Sequence, residues 1–297
     1  MKLSICTWHL EKRFGTEKAF RMIKKAGFDA LDYNIDDWCG NLEQLQACTS
    51  FGMSEDEVRA HYTGIYEIAH REGLEIGQTH AIFGAPAFRD YYDLFFAQTV
   101  NAIIATNAMH CRHTVIHPVA IPGRIGDELK GECHELNLKF FRELLPYLQK
   151  YDVKIAVEPM WYRVDGIIRP TICSRPEEIL EFIDEMGSEY FCSCPDLGHF
   201  ALTGEQTGDT PAGALRKLGK AVEIIHAHEV ENNEDRHTKP YTYGTMDWSD
   251  IMAALREIGY QGNLNFEVSG NYFGKYPDSL VPEALRHLAE IGKDMAR

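Results

Sequence analysis

Short, nearly continuous apolar runs alternate along the chain with longer stretches whose apolar residues recur at helical spacing. The short runs fall at residues 3–8, 30–35, 75–80, 113–119, 153–160, 190–195, 222–230 and 263–268. Lys154-Ile155-Ala156-Val157 and Thr114-Val115-Ile116 show almost no polar alternation. A strand reads this way when both faces are buried, as in a parallel sheet covered by helices. Between the runs, the periodicity predicts helices over 16–26, 55–72, 92–108, 136–150, 176–186, 248–258 and 282–295. Ser54, Ser174 and Asp247 stand where helices begin, and Gly27, Gly73 and Gly259 where they end. Strands alternating with helices throughout predict an α/β fold, a single (β/α)8 TIM barrel over residues 1–297. A doubly wound open sheet would show a glycine-rich dinucleotide turn after a strand, and no G-x-G-x-x-G occurs.

A barrel of this kind carries its chemistry at the C-terminal ends of the strands. Those ends read Trp8-His9, His80, His117-Pro118, Glu158-Pro159, Asp196-Leu197-Gly198-His199, His226-Ala227-His228-Glu229 and Glu267. One histidine or carboxylate at a strand end is usually structural or solvated. Several converging carboxylates repel one another unless a cation compensates them. Glu158, Asp196, His228 and Glu267 form the central set. Three carboxylates and an imidazole suit a hard or borderline divalent ion: Mn²⁺, Mg²⁺, Co²⁺ or Zn²⁺. Such a site can hold two oxygens of a polyol and polarise a carbonyl. Glu158 and Glu267 lie on the fifth and eighth strands, so they are expected on opposite faces of a substrate, one removing a proton and one returning it.

Charge and composition narrow the partners. The chain has 297 residues with 30 basic and 45 acidic side chains, a net charge of −15. Nothing in that balance attracts nucleic acid or anionic lipid, so neither is expected as a partner. No apolar run reaches the ~18 residues of a membrane span. The opening residues turn polar too soon for a signal peptide. Eight cysteines without framework spacing point to a reducing cytoplasm, and thirteen histidines point to metal.

The strand-end Glu, the Asp-x-x-His, the His and the final Glu resemble the xylose-isomerase-like barrel superfamily of sugar phosphate isomerases and epimerases. The matching stretches are Val157-Glu158-Pro159-Met160, Pro195-Asp196-Leu197-Gly198-His199, His226-Ala227-His228 and Asn265-Phe266-Glu267. Trp8-His9, Thr79-His80-Ala81, Val115-Ile116-His117-Pro118 and Gly244-Thr245-Met246-Asp247-Trp248 add to them. The resemblance covers almost the whole chain and implies a small-molecule sugar substrate. It implies one divalent ion, Mn²⁺ foremost, on Glu158, Asp196, His228 and Glu267, with the two glutamates as acid and base. It places His199 on a substrate oxygen, and His80, His117 and Trp8 are expected beside the substrate. A homo-oligomer is left open. Ketose 3-epimerases carry an Arg six residues after the ligand His; here that position is Glu234, and nearby Arg236 is taken as the substitute.

Asp235-Arg236-His237 adds a second Asp-x-His, which endonuclease IV uses for a third zinc. With it, all nine ligand types of that enzyme occur in order, so a multi-zinc phosphodiesterase is the alternative, and a keto-polyol dehydratase is a close relative of the first reading. The acidic balance and the lack of recognisable groove-binding segments weigh against the phosphodiesterase.

Weaker expectations concern the neighbours. Trp161, Tyr162 and Phe83 follow strand ends, where aromatics stack on sugars or pack a lid. Arg163 and Arg169 are read as surface residues, and Asn34 and Asp36 as minor contacts. Cys192 and Cys194 are expected on opposite faces of one strand and so not to form a pair. Gly84-Ala85-Pro86 and Gly123 are read as lid loops.

Overall fold

The computed structural model describes residues 1–84, 90–119, 127–231, 234–268 and 270–297. The expected lid residues Ala85, Pro86 and Gly123 lie outside that set. The strands are β1 Leu3–Cys6, β2 Ala30–Asn34, β3 Glu75–His80, β4 His113–Ile116, β5 Lys154–Val157, β6 Trp161–Val164, β7 Ile167–Pro170, β8 Phe191–Ser193, β9 Glu229–Glu231, β10 Glu234–Thr238 and β11 Leu264–Phe266. Among the described residues, seven form one parallel sheet in the order β11-β1-β2-β3-β4-β5-β8. The gap between β8 and β11 is filled by residues 222–227 through isolated parallel bridges. Val222 pairs with Ser193, His226 with Asp196, and Ala227 with Phe266. The sheet therefore closes into the (β/α)8 barrel.

Several elements differ from the sequence expectation. The seventh strand is not continuous over 222–230; it makes single bridges and then leaves the barrel as the antiparallel β9–β10 hairpin. The first strand stops at Cys6, and Trp8 opens the helix Trp8–Phe14. The helix expected over 136–150 runs from Asp127 to Tyr151 with Pro146 inside it. The helix Leu197–Thr207 was not legible, because its buried residues include His199 and Thr203, which interrupt the apolar stripe.

Side chains two apart on a strand share a face. This rule sets the layers inside the barrel. Val115, Ala156, Cys192, Cys194 and Ile224 form a small buried apolar cluster of their own. Two positions beyond Val115, Ala156, Cys194 and Ile224 come His117, Glu158, Asp196 and His226. Cys192 and Cys194 thus sit in the same interior cluster rather than on opposite faces; both are free thiols. Asp32 is buried, and its Oδ2 accepts hydrogen bonds from Gln78 Nε2 (3.1 Å) and Asn265 Nδ2 (2.8 Å). No helix among the described residues is long and apolar enough to cross a membrane.

Candidate metal centre

Local folding rules orient the key side chains. Asp196 is the N-cap of helix Leu197–Thr207, and its Oδ1 accepts the His199 backbone N–H at 2.7 Å. The Asp-x-x-His spacing is therefore a capping geometry that brings both groups to one rim. A Cβ at Gly198 would lie 2.1 Å from the His228 ring, so the glycine makes room for that imidazole.

Three histidines show one pattern. His80 Nδ1 donates to the Ala81 carbonyl (2.8 Å), His199 Nδ1 to the Pro159 carbonyl (2.8 Å), and His237 Nδ1 to the Glu267 carbonyl (3.1 Å). A carbonyl only accepts, so each Nδ1 carries the proton. Each Nε2 is then turned into the site. Metal-binding histidines are commonly held this way. His80 Nε2 lies 3.0 Å from His117 Nε2, and both face Glu158 Oε2, at 3.5 and 3.0 Å. His199 and His237 both direct Nε2 at Asp235 Oδ2, at 3.3 and 3.1 Å.

Among the described residues, three ligand-capable groups gather at this rim. The first is His80, His117 and Glu158; the second Glu158, Asp196, His226 and Glu267; the third His199, His228, Asp235 and His237. Glu158 belongs to two of them. The sequence reading set His228 with the three carboxylates, whereas the structure groups His226 with them. His226 Nδ1 lies 3.2 Å from Glu267 Oε2 and 3.4 Å from Glu158 Oε1, while its Nε2 faces Asp32 Oδ2 at 3.1 Å. His228 Nε2 meets both oxygens of Asp196 (3.0 and 3.1 Å), and its ring stacks on His237 at 4.0 Å. Both histidines are inward because they are two apart; the sequence does not reveal which layer reaches the carboxylates.

Electrostatics and bonding fit a cation. Buried Glu158 Oε2, Glu267 Oε2, Asp235 Oδ1 and both His226 nitrogens have no hydrogen-bond partner among the described residues. Orphaned buried polar atoms are costly, and Glu158, Glu267 and His226 bring theirs into one ligand-capable group. Burial alone would raise the Glu158 carboxyl, yet the facing His117 and His226 hold it well below the usual range. Burial pushes the Glu267 carboxyl up. Burial opposes protonation of His226, but facing Cys194, Glu267 and Glu158 outweigh it and raise its pKa. His237 is likewise raised, against burial, to about 10 by Asp235 and Glu267.

A cavity of about 580 Å³ opens above these groups. His80, His117, Glu158, His199, Asp235, His237 and Glu267 line it, as do Trp8, Trp38, Phe83 and Trp161. Trp38, Asp37 and Asn271 were not singled out from the sequence; no spacing signal marks them. Asn34 reaches the cavity, but Arg236 does not. Alternation along β10 turns Asp235 and His237 inward and Arg236 outward, where its Nε donates to Glu231 Oε2 at 3.0 Å.

A closed parallel barrel with histidines and carboxylates gathered at its C-terminal rim defines a TIM-barrel protein with a candidate metal centre. The chain belongs to the xylose isomerase-like TIM barrel family, whose model matches residues 20–291. It is 29% identical over 156 residues to an uncharacterised protein of Methanocaldococcus jannaschii, covering 52% of this chain and 49% of that one. It is 34% identical over 121 residues to a D-psicose 3-epimerase of Enterocloster bolteae, covering 41% of this chain and 35% of the relative. The matches thus span half or less of these curated relatives. A D-tagatose 3-epimerase-like crystal structure shares the fold, with TM-score 0.70, 22% identity and coverage of 100% of both chains.

Proposed function

We propose that the protein is a divalent-metal-dependent isomerase or epimerase of a sugar or keto-polyol, working through a cis-enediolate. The supporting observation is the ligand-capable group of Glu158, Asp196 and Glu267, two of whose carboxylates line an aromatic-lined cavity and carry oxygens without a hydrogen bond. In this reading Glu158, Asp196, Glu267 and His228 hold one divalent ion, Mn²⁺ foremost, and His226 stands behind them against Asp32. Bound there, a divalent ion stabilises negative charge on substrate oxygens. Glu158, held ionised, takes the proton from the carbon beside the carbonyl. Glu267, whose pKa is raised, returns one from the other side. His199 and His80 present fixed Nε2 atoms to substrate hydroxyls.

The test is turnover in D2O. A converted sugar, supplied as a panel of ketohexoses with added Mn²⁺, gains deuterium at the carbon next to the carbonyl. Turnover that keeps the original hydrogen refutes the enediolate route.

Two ligand groups that share Glu158, with a third beside them, favour one second reading, a multi-zinc phosphodiesterase using His80, His117, Glu158, Asp196, His199, His228, Asp235, His237 and Glu267. Elemental analysis separates the two: one ion per chain supports the isomerase. Two or three zincs, together with cleavage of an abasic oligonucleotide, support the phosphodiesterase.

Either reading requires protons to leave. His226 and His237 have raised pKa values, and a divalent ion on the carboxylates they face repels their protonated rings. Metal binding at pH 7 therefore releases protons, and affinity falls as pH falls from 8 to 5. Calorimetric titration of Mn²⁺ in buffers of different ionisation enthalpy shows this as a buffer-dependent heat; a buffer-independent heat contradicts it.

A further inference from the structure

A second cavity, of about 450 Å³, adjoins the first. The two share Trp8, Asn34, Asp37 and Trp38 as a common wall. Together they make a cleft that runs from the buried carboxylates out past β2. The first cavity alone falls within the ~300–1,000 Å³ range of pockets that enclose drug-sized ligands. It already has room for a single pyranose ring, so the adjoining space is surplus to a monosaccharide.

Trp38 stands at the junction. Its indole is half exposed, which is unusual for so large an apolar group. Its backbone is nevertheless fixed. Trp38 bridges to Phe83, Cys39 N donates to the Phe83 carbonyl at 2.7 Å, and Trp38 N donates to Asp37 Oδ1 at 2.9 Å. The ring lies over Gly40, where a Cβ would come within 2.0 Å of it. An exposed aromatic plate on a pinned backbone presents its face at little entropic cost. Polar and acidic groups dominate the rest of the adjoining wall, beside Tyr33, Ile35, Ala47 and Cys48. Glu11, Asp36 and Asp37 line it, with Gln44 and Thr49. Its Lys12 is ion-paired with Asp37 and lies over the Trp8 ring. Carboxylates beside an apolar plate suit hydroxyls and a sugar's C–H face, and they repel a phosphate.

We propose that the adjoining cavity is a second sugar subsite, and that the substrate is a neutral glycoside whose second ring stacks on Trp38. This rests on the isomerase or epimerase reading above, since the reacting ring must sit over Glu158 and Glu267.

The experiment is calorimetric binding to the Mn²⁺-supplemented protein. D-fructose is compared with three ketose disaccharides, isomaltulose, maltulose and lactulose, and with fructose 6-phosphate. At least one disaccharide binds about tenfold tighter than D-fructose, the size expected for an added stacking contact. Trp38→Ala removes that gain, so the disaccharide loses more affinity than D-fructose, which meets Trp38 only in the wall of the first cavity. Trp38→Phe, which keeps an aromatic plate, retains most of it. The ring is half exposed, so neither variant threatens the core. Three disaccharides no tighter than D-fructose, or a Trp38→Ala loss shared equally by fructose, overturn the second subsite and leave the parent reading standing. Fructose 6-phosphate as the tightest ligand overturns the neutral class. No sugar binding at all, with no deuterium exchange in D2O, overturns the parent reading and this inference with it.

Discussion

In the Glu158→Gln variant, exchange of substrate hydrogen with solvent falls by roughly 10²–10⁴-fold, the contribution a positioned general base makes. Glutamine matches glutamate in size, so the wall of the cavity is preserved. Its amide cannot accept the proton, and excess Mn²⁺ does not restore the loss. Glu158 is nearly fully buried and touches four imidazoles, from His80, His117, His199 and His226, at 3.0–3.5 Å. Burial opposes ionisation, but His117 and His226 hold the carboxyl well below its usual range. It is therefore ionised across the neutral range and ready to act as a base. Glu267→Gln is expected to lose exchange as well, and to bind less metal. Unchanged exchange in Glu158→Gln, followed by mass spectrometry of the product in D2O, removes Glu158 from the chemistry.

The second large effect is on stability. Glu229 is fully buried, and its carboxylate organises the chain that follows the β9–β10 hairpin. Oε2 accepts from the Tyr241 backbone (2.9 Å) and the Trp248 indole (2.9 Å). Oε1 accepts from the Thr245 backbone (3.1 Å), the Thr245 hydroxyl (2.7 Å) and the Met246 backbone (3.2 Å). Truncation to Ala strands the buried Met246 and Trp248 donors and releases the loop of Tyr241 and Thr245. Glu229→Ala is expected to destabilise the fold by about 3–5 kcal/mol, as for other broken buried charge networks. Glu229→Gln keeps one accepting oxygen and costs less, about 1–3 kcal/mol. Urea denaturation reads both from the shift in midpoint at constant slope. A Glu229→Ala loss below about 0.5 kcal/mol, the range of ordinary surface changes, contradicts the assignment.

Glu229 also shows where sequence reading stops. It sits beside His228 in His226-Ala227-His228-Glu229, and nothing in that string separates a site residue from a structural one. Alternation separates them. His226 and His228 face the barrel interior, and Glu229 faces the loop behind it. The same rule explains Arg236, which flanks two site-facing residues yet points away. It also corrects Cys192 and Cys194, which share one interior cluster.

By itself the sequence determined the barrel and its rim. Parallel strands buried on both faces leave an apolar run that no helix period imitates, so β1 to β5 and β11 are legible. The switch from apolar run to His, Asp or Glu marks the C-terminal ends, because a buried strand tolerates such groups only where they find partners. His80, His117, Glu158, His199 and Glu267 do meet around one cavity. Only the tertiary structure decided the rest. The seventh strand is held by isolated bridges, which carry too few paired residues to impose a period. The choice of His226 or His228 as the partner of the carboxylates depends on depth along the barrel axis, which a linear pattern does not encode. The plate of Trp38 reaches the cleft through a backbone bridge to Phe83, a contact between residues far apart in the chain. Periodicity is a local property of the chain; depth, layer and convergence belong to the closed sheet.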